Sequence, residues 1–239
     1  MIKTFKVLSA ALSYPSKQLQ ATVDEMKSAI RDESLLPPEK QQSLSALLDE
    51  FSDTDLYELQ ERYVLLFDRT RSLSLHLFEH IHGESRERGQ AMVDLAQLYE
   101  QKGLVISNRE LPDYLPLFLE YLSIVPASEA KETLAQPLHI IAALAQRLQR
   151  RQSSYAAAFQ ALESLAAAAP EKEALQELLD QSEDNPEDFE QLDQVWQESE
   201  VVFGPGANPG SGCSQDQLGS SSVRVDIPSP TMNQDSTRY

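Results

Sequence analysis

The sequence predicts an all-α protein, a single-domain helical bundle with an acidic helical extension and a disordered C-terminal tail. Apolar residues recur at three- and four-residue spacing through most of the chain, which is the period of amphipathic helices. No alternating apolar and polar run is bounded by hairpin turn residues. Composition changes twice near the end, so we expect a helical core at 1–168, an acidic extension at 169–203 and a tail at 204–239.

The first half of the core begins with a short helix. Lys6 interrupts the apolar run after Lys3, and Tyr14-Pro15 stands where a signal peptide would have its cleavage site, so a secretory signal is disfavoured. Three apolar stripes predict further helices: Leu19, Val23, Met26 and Ile30; Leu44, Leu47, Leu48 and Phe51; and Leu56, Leu59, Tyr63, Leu66 and Phe67. Pro37-Pro38 separates the first two stripes, and Ser52-Asp53 is expected to cap the third helix.

The second half continues with four helical stripes. They are Met92, Leu95, Leu98 and Tyr99; Leu117, Phe118, Tyr121 and Leu122; Leu134, Leu138, Ile141, Leu144 and Leu148; and Tyr155, Phe159, Leu162 and Leu165. Gly103 predicts a left-handed stop to the first stripe, because glycine adopts positive φ without steric cost. Pro112 and Pro116 bracket the next helix start, where proline is tolerated.

The acidic extension holds much of the formal net charge of −18, with twelve Asp or Glu between residues 171 and 200 against Lys172 alone. Two weaker helices are expected there, at 171–181 and 186–203. Nucleic-acid binding is disfavoured, because it requires a basic surface. The acidic residues either attract a basic partner or simply keep the chain solvated, and the sequence leaves both interpretations open.

Several enzyme classes lack their minimum motifs in this sequence. There is no phosphate-binding P-loop, no dinucleotide-binding glycine motif and no nucleophile elbow. Cys213 is the single cysteine, so disulfides and cysteine metal sites are not expected, and no apolar run is long enough to span a bilayer. We therefore expect a cytoplasmic protein that is not an enzyme and has no cofactor or metal, no nucleic-acid partner and no direct membrane insertion.

The sequence His76-Leu77-Phe78-Glu79-His80 is an exception, since it has the H-x-x-E-H spacing of an inverted zinc-protease helix. On a helix, the two histidines would hold Zn²⁺ and the glutamate would activate water. A third ligand is not evident, because His82 would point to another side and His139 is distant in sequence. A metal-dependent hydrolase is therefore retained as an alternative, and a structural role for Glu79 and His80 is preferred.

The surrounding residues resemble a known family. The segments concerned are Asp68-Arg69, Phe78-Glu79-His80, His82-Gly83-Glu84-Ser85-Arg86, Arg88-Gly89-Gln90-Ala91-Met92-Val93-Asp94 and Arg109-Glu110-Leu111-Pro112-Asp113-Tyr114-Leu115-Pro116. They resemble the NarJ family, chaperones for assembly of the membrane-bound respiratory nitrate reductase, over roughly residues 1–203 and most specifically from Tyr63 to Tyr121. The last segment also resembles the E-x-P-D-x-x-P loop of the wider TorD/DmsD-like family of redox-enzyme maturation chaperones.

The resemblance implies a dedicated cytoplasmic chaperone that binds the N-terminal segment of the reductase catalytic (alpha) subunit and its apoenzyme. It also implies support for insertion of the molybdenum cofactor and an iron-sulfur cluster, delayed docking to the membrane, and molybdenum cofactor biosynthesis proteins as further partners. A generic helical adaptor without a maturation role is the other alternative.

Peptide binding needs apolar walls between helices and a few polar groups that fix direction. The predicted peptide-binding residues are Tyr63, Phe67, Asp68, Phe78, His80, Glu110, Pro112, Asp113, Tyr114, Pro116 and Tyr121. Within this set, Asp113 is expected to receive a donor group of the peptide and Tyr114 to pack against an apolar anchor. A brace of ion pairs is also expected among Asp68, Arg69, Glu79, Arg86 and Arg88.

Overall fold

The computed structural model describes residues 1–81, 86–106 and 110–181, without the side chains of residues 86–87. Over these ranges the chain is helical and contains no β-strand, which confirms the predicted all-α class. The second weak helix predicted at 186–203 and the tail predicted at 204–239 lie outside the described residues.

The first five helices cover the predicted short helix and the first three stripes, but the first stripe is divided: Leu19 lies on one helix, and Val23, Met26 and Ile30 lie on the next. The five helices are α1 (Lys3–Ala11), α2 (Lys17–Ala21), α3 (Val23–Glu33), α4 (Pro38–Asp53) and α5 (Leu56–Tyr63). Helix α5 continues as a π-helical turn at Val64–Asp68, followed by 3₁₀ turns at Arg71–Leu73 and Leu77–Glu79. The predicted cap was wrong: Ser52 and Asp53 still belong to α4, and the Asp55 side chain accepts the Tyr57 amide at the start of α5.

Six helices follow within the described ranges, and the stripe from Leu134 to Leu148, predicted as one helix, is divided between two of them. The six helices are α6 (Arg86–Gln101), α7 (Leu115–Ile124), α8 (Ala127–Ala135), α9 (Leu138–Arg150), α10 (Ala156–Leu165) and α11 (Lys172–Asp180). Gly103 has a φ of +79°, so the predicted left-handed stop after α6 is confirmed. Pro116 lies in the first turn of α7, also as predicted.

The core is formed by helices whose apolar faces meet. Helix α1 packs between α3 and α7, while α10 packs against α4 and α9. Helix α7 is apolar nearly all round, and seven of its residues are buried, because neighbours cover it on several sides. No helix in the described ranges is long and apolar enough to cross a membrane.

Helix α11, the first part of the acidic extension, packs on α9 through Leu178, which is buried. Arg147 of α9 is itself 1% exposed and donates hydrogen bonds to the Ser72 carbonyl, at 2.7 Å, and to the Leu178 carbonyl. One buried guanidinium thus joins α11 to the 3₁₀ turn at Arg71–Leu73. The boundary expected at residue 168 stays a prediction.

Candidate functional site

A segment of irregular backbone lies between α5 and α6 and pairs with the loop before α7. The amide of Leu77 donates to the Asp113 carbonyl at 3.0 Å, and the amide of Leu115 donates to the Leu75 carbonyl at 2.8 Å. These two bonds flank an isolated antiparallel bridge between His76 and Tyr114. The pairing fixes two segments that are distant in sequence against each other.

Asp113 holds this pairing together from inside. Its side chain has 0% exposure, and its two carboxylate oxygens accept the Phe78 amide and the His76 Nδ1–H, each at 3.1 Å. The hydrogen bond to Asp113 raises the pKa of His76, although partial burial opposes that shift. The Tyr99 hydroxyl donates to the Pro112 carbonyl at 2.8 Å and anchors the same loop to α6.

A cavity of about 320 Å³ opens beside this pairing. We call it the aromatic cavity; its lining residues are Tyr14, Tyr63, Phe67, Asp68, Leu75, His76, Glu110 and Tyr114. The Tyr63 hydroxyl donates to the Leu12 carbonyl at 3.0 Å and accepts from the Tyr114 hydroxyl, also at 3.0 Å. Edge-on ring contacts at 5.5 and 5.0 Å connect Tyr63 to Tyr14 and Phe67. The walls are therefore aromatic and held in place by hydrogen bonds.

The electrostatics of the aromatic cavity are acidic. Partial burial raises the pKa of Asp68, and His76 opposes the shift. Burial also raises the pKa of Tyr114, and the negative charges of Glu110 and Asp68 add to this effect. Both carboxylates therefore raise the pKa of the same tyrosine, so the electrostatic potential at the Tyr114 hydroxyl is negative.

The aromatic cavity brings together five of the predicted peptide-binding residues: Tyr63, Phe67, Asp68, Glu110 and Tyr114. Sequence reasoning missed Tyr14 and Leu75 as lining residues, and it considered His76 only as a metal ligand. No periodic signal could have identified them, because tertiary packing brings them together from different segments.

The other predicted residues lie elsewhere. Tyr121 and Pro116 are buried in α7, where the Tyr121 ring packs 5.2 Å from Tyr99. Phe78 lines a separate, mostly apolar cavity of about 170 Å³, and His80 borders a third cavity beside α11. The loop residue Pro112 is half-buried.

Asp113 differs most from its predicted role. Its carboxylate is enclosed and already accepts two hydrogen bonds, so in this conformation it positions His76 and the backbone at Phe78 instead of meeting a ligand. It does not cap α7 either, since that helix begins without a side-chain cap.

The H-x-x-E-H sequence does not form the α-helix that a zinc-protease site requires. His76 is extended, and Leu77–Glu79 is a single 3₁₀ turn. The His80 Nε2 lies 2.8 Å from the Ser74 carbonyl, and burial lowers the pKa of His80. A neutral His80 therefore donates to that carbonyl, while Nδ1 of His76 is engaged with Asp113. Nowhere in the described part of the chain are three His, Cys, Asp or Glu side chains grouped as a metal site needs.

The predicted brace is present only in part. Glu79 pairs with Arg88 at 3.4 Å. Arg69 is exposed and borders a different groove, and Asp68 lines the aromatic cavity, so neither joins that pair. The Arg86 side chain lies outside the described residues. The exposure of Arg69 corrects the brace prediction for that residue.

Comparison with known proteins identifies relatives along most of the chain. The family described as nitrate reductase delta subunit matches residues 17–161. The nitrate reductase molybdenum cofactor assembly chaperone NarJ of Escherichia coli strain K12 is 45% identical over 198 residues, which is 82% of this chain and 83% of that protein.

Two further relatives have related descriptions. The probable assembly chaperone NarW of the same strain is 38% identical over 202 residues, covering 84% of each chain. The probable NarJ of Bacillus subtilis strain 168 is 33% identical over 156 residues, covering 64% of this chain and 82% of its own length. These matches confirm the resemblance to NarJ. The chain therefore belongs to the nitrate reductase delta subunit family.

Proposed function

We propose that this protein is a dedicated cytoplasmic assembly chaperone for a respiratory nitrate reductase and not an enzyme. It binds the N-terminal segment of the catalytic subunit, supports insertion of the molybdenum cofactor and an iron-sulfur cluster, and delays docking to the membrane. Molybdenum cofactor biosynthesis proteins are its further partners. The observation that supports this proposal most is the 45% identity over 198 residues to a protein described as such a chaperone.

Within the described residues, the aromatic cavity has features that suit a bound peptide. Tyr14 and Tyr114 offer apolar rings with polar tips, a combination common at protein interfaces. Asp68 and Glu110 add negative charge, which favours a basic segment. Tyr63 and Phe67 form the floor, and His76 is held by the enclosed Asp113. An amphipathic segment with apolar and basic residues matches this arrangement.

Chaperoning by this route requires a difference in affinity between two states of the client. A chaperone that binds the open apoenzyme more tightly than the finished subunit stabilises the open form by that difference. Release then follows when cofactor insertion closes the subunit and withdraws the bound segment.

The direct test is calorimetric titration of the full chain with a peptide that spans the N-terminus of the reductase catalytic subunit. We expect saturable binding to one site per chain. A peptide of the same composition in scrambled order keeps the charge and removes the pattern of anchors, so it should bind much more weakly. Equal binding of both peptides, or binding of neither, would contradict specific recognition.

A second measurement distinguishes maturation from simple tethering. Reductase catalytic subunit is purified from cells with and without this chain, and its molybdenum content is measured. A maturation chaperone raises the molybdenum content per subunit. A generic helical adaptor binds the subunit and leaves that content unchanged.

A further inference from the structure

The aromatic cavity combines three properties that together favour a particular side chain. None of the eight lining residues in the described part of the chain is Lys or Arg, while two of them, Asp68 and Glu110, are acidic. Among the described residues, neither carboxylate has a hydrogen bond or an ion pair within the chain. Four of the remaining residues are Tyr or Phe. Two available carboxylates at an aromatic wall form a receptor for an organic cation.

The His76–Asp113 pair does not offset this negative charge. If the imidazole is protonated, the carboxylate 3.1 Å away matches its charge, and if it is neutral, the fully enclosed Asp113 adds a further negative charge. Among the described lining residues, Asp68 and Glu110 therefore remain as excess negative charge in either protonation state of His76.

We propose that the aromatic cavity binds the guanidinium group of an arginine side chain on a partner segment. This inference deepens the proposed function and rests on it for the identity of the partner that supplies the arginine. A guanidinium is planar and weakly hydrated, so it can stack on Tyr14 or Tyr114 while its edge donates to a carboxylate. Tyr14 lines the aromatic cavity and is 50% exposed, so its ring is accessible to such a group.

The first experiment uses a small probe and does not depend on the reductase. The full chain is titrated with N-acetyl-arginine amide and, separately, with N-acetyl-citrulline amide, which has nearly the same shape without the charge. Two-dimensional NMR follows the ring signals of Tyr14 and Tyr114. We expect the arginine probe to shift both signals in a saturable way and the citrulline probe to bind at least about tenfold more weakly. Equal responses to the two probes, or no response to either, overturn the inference.

Charge-neutral variants test the two carboxylates. Asp68→Asn and Glu110→Gln should each weaken the arginine probe by about fivefold to tenfold, because each removes one charge-assisted contact. Glu61→Gln is the matched control. Glu61 is exposed and borders the neighbouring groove, so this substitution changes the net charge by the same amount at a residue outside the lining of the aromatic cavity. Loss of affinity in the control as large as in the two variants would mean that overall charge alone attracts the probe, and the site assignment fails.

The third experiment links the aromatic cavity to the reductase peptide and separates two kinds of failure. Each arginine of the N-terminal peptide is replaced in turn by citrulline, and each peptide is titrated against the wild-type chain and Asp68→Asn. For one arginine, replacement by citrulline should weaken binding to the wild-type chain strongly and binding to Asp68→Asn only slightly. If the peptide binds and no arginine is coupled to Asp68, the inference fails while the proposed function stands. If the peptide does not bind while the arginine probe still does, the proposed function fails and the cation site stands.

Discussion

At the scale of single residues, Asp113 and His76 form the pair on which the geometry of the candidate site depends. A fully enclosed carboxylate is costly unless hydrogen bonds compensate for its lost hydration. Asp113 receives such bonds from one backbone amide and one imidazole, both in the segment that it holds against α7. The pair therefore converts two separate loops into one rigid wall of the aromatic cavity.

Replacement of Asp113 by alanine should lower the free energy of unfolding by about 1 to 3 kcal/mol, because the half-buried Phe78 amide loses the Asp113 carboxylate as an acceptor. Urea denaturation measures this change. Asp32→Ala is the control, since Asp32 is exposed on α3, and it should change stability by less than about 0.5 kcal/mol. Unchanged stability in Asp113→Ala, together with lost peptide affinity, would restore the direct binding role first predicted for this carboxylate.

The raised pKa of His76 makes part of the stability depend on pH. Its pKa in the folded state lies above the unfolded value of about 6.5, so protonated His76 favours folding. This contribution is fully present below the unfolded pKa and is lost as pH rises through the folded pKa. The stability difference between the wild type and His76→Gln should therefore be larger at acidic pH than at alkaline pH.

The comparison with His76→Gln is needed because His80 acts in the opposite direction. Burial lowers the pKa of His80, so its contribution is lost as pH falls below the unfolded value. Denaturation midpoints of both proteins across the pH range separate the two effects. A wild-type advantage that is constant with pH would show that the His76 proton is not coupled to folding.

At the scale of elements, helix α11 is attached by a group that no amphipathic pattern would suggest. Leu178 gives α11 an apolar contact, but most of its other residues are exposed or partly exposed. The carbonyl of Leu178 and that of Ser72 both receive hydrogen bonds from Arg147. Arg147 thus anchors both the start of the acidic extension and the 3₁₀ turn at Arg71–Leu73.

Arg147→Met keeps the apolar stem and removes the donors, so two buried carbonyls lose a partner. We expect a loss of roughly 2 to 4 kcal/mol in the free energy of unfolding. Hydrogen exchange should accelerate in α11 and at Arg71–Leu73 more than in α1 or α4. Arg69→Met is the control and should be nearly neutral, because Arg69 is exposed. Uniform acceleration in all helices would argue for general destabilisation instead of a shared anchor.

At the scale of the whole molecule, the net charge of −18 sets the long-range field that a partner meets. A strongly acidic protein attracts basic segments over distances up to about a Debye length, roughly 10 Å at 0.1 M salt. Contacts inside the aromatic cavity are screened less than this field, because aromatic rings exclude water from them.

Affinity for the reductase peptide should consequently fall as salt concentration rises and then level off when the long-range part is screened. Calorimetric titrations at low, intermediate and high salt measure this dependence. Most of the loss should appear in the association rate, which stopped-flow mixing resolves, because steering acts before contact. Affinity that stays constant from low to high salt would exclude an electrostatic contribution.

The sequence by itself determined the all-α class, most helix positions and the family. The helical repeat alone fixes the spacing of apolar residues on one face of a helix. A stripe such as Leu44 to Phe51 therefore predicts α4 without knowledge of the helices that pack against it. Local signals also identified the stop at Gly103 and the proline start of α7. Family motifs depend on residue identity along the chain, and they too need no coordinates.

Only the tertiary structure decided what the residues between α5 and α7 do. The H-x-x-E-H spacing assumes an α-helix, but pairing with the loop at Asp113 draws His76 into an extended conformation. Burial separated Tyr121 and Asp113 from the exposed surface while Tyr14, distant in sequence, joined the aromatic cavity. These outcomes depend on contacts between segments far apart along the chain, and a helical or motif period contains no information about such contacts.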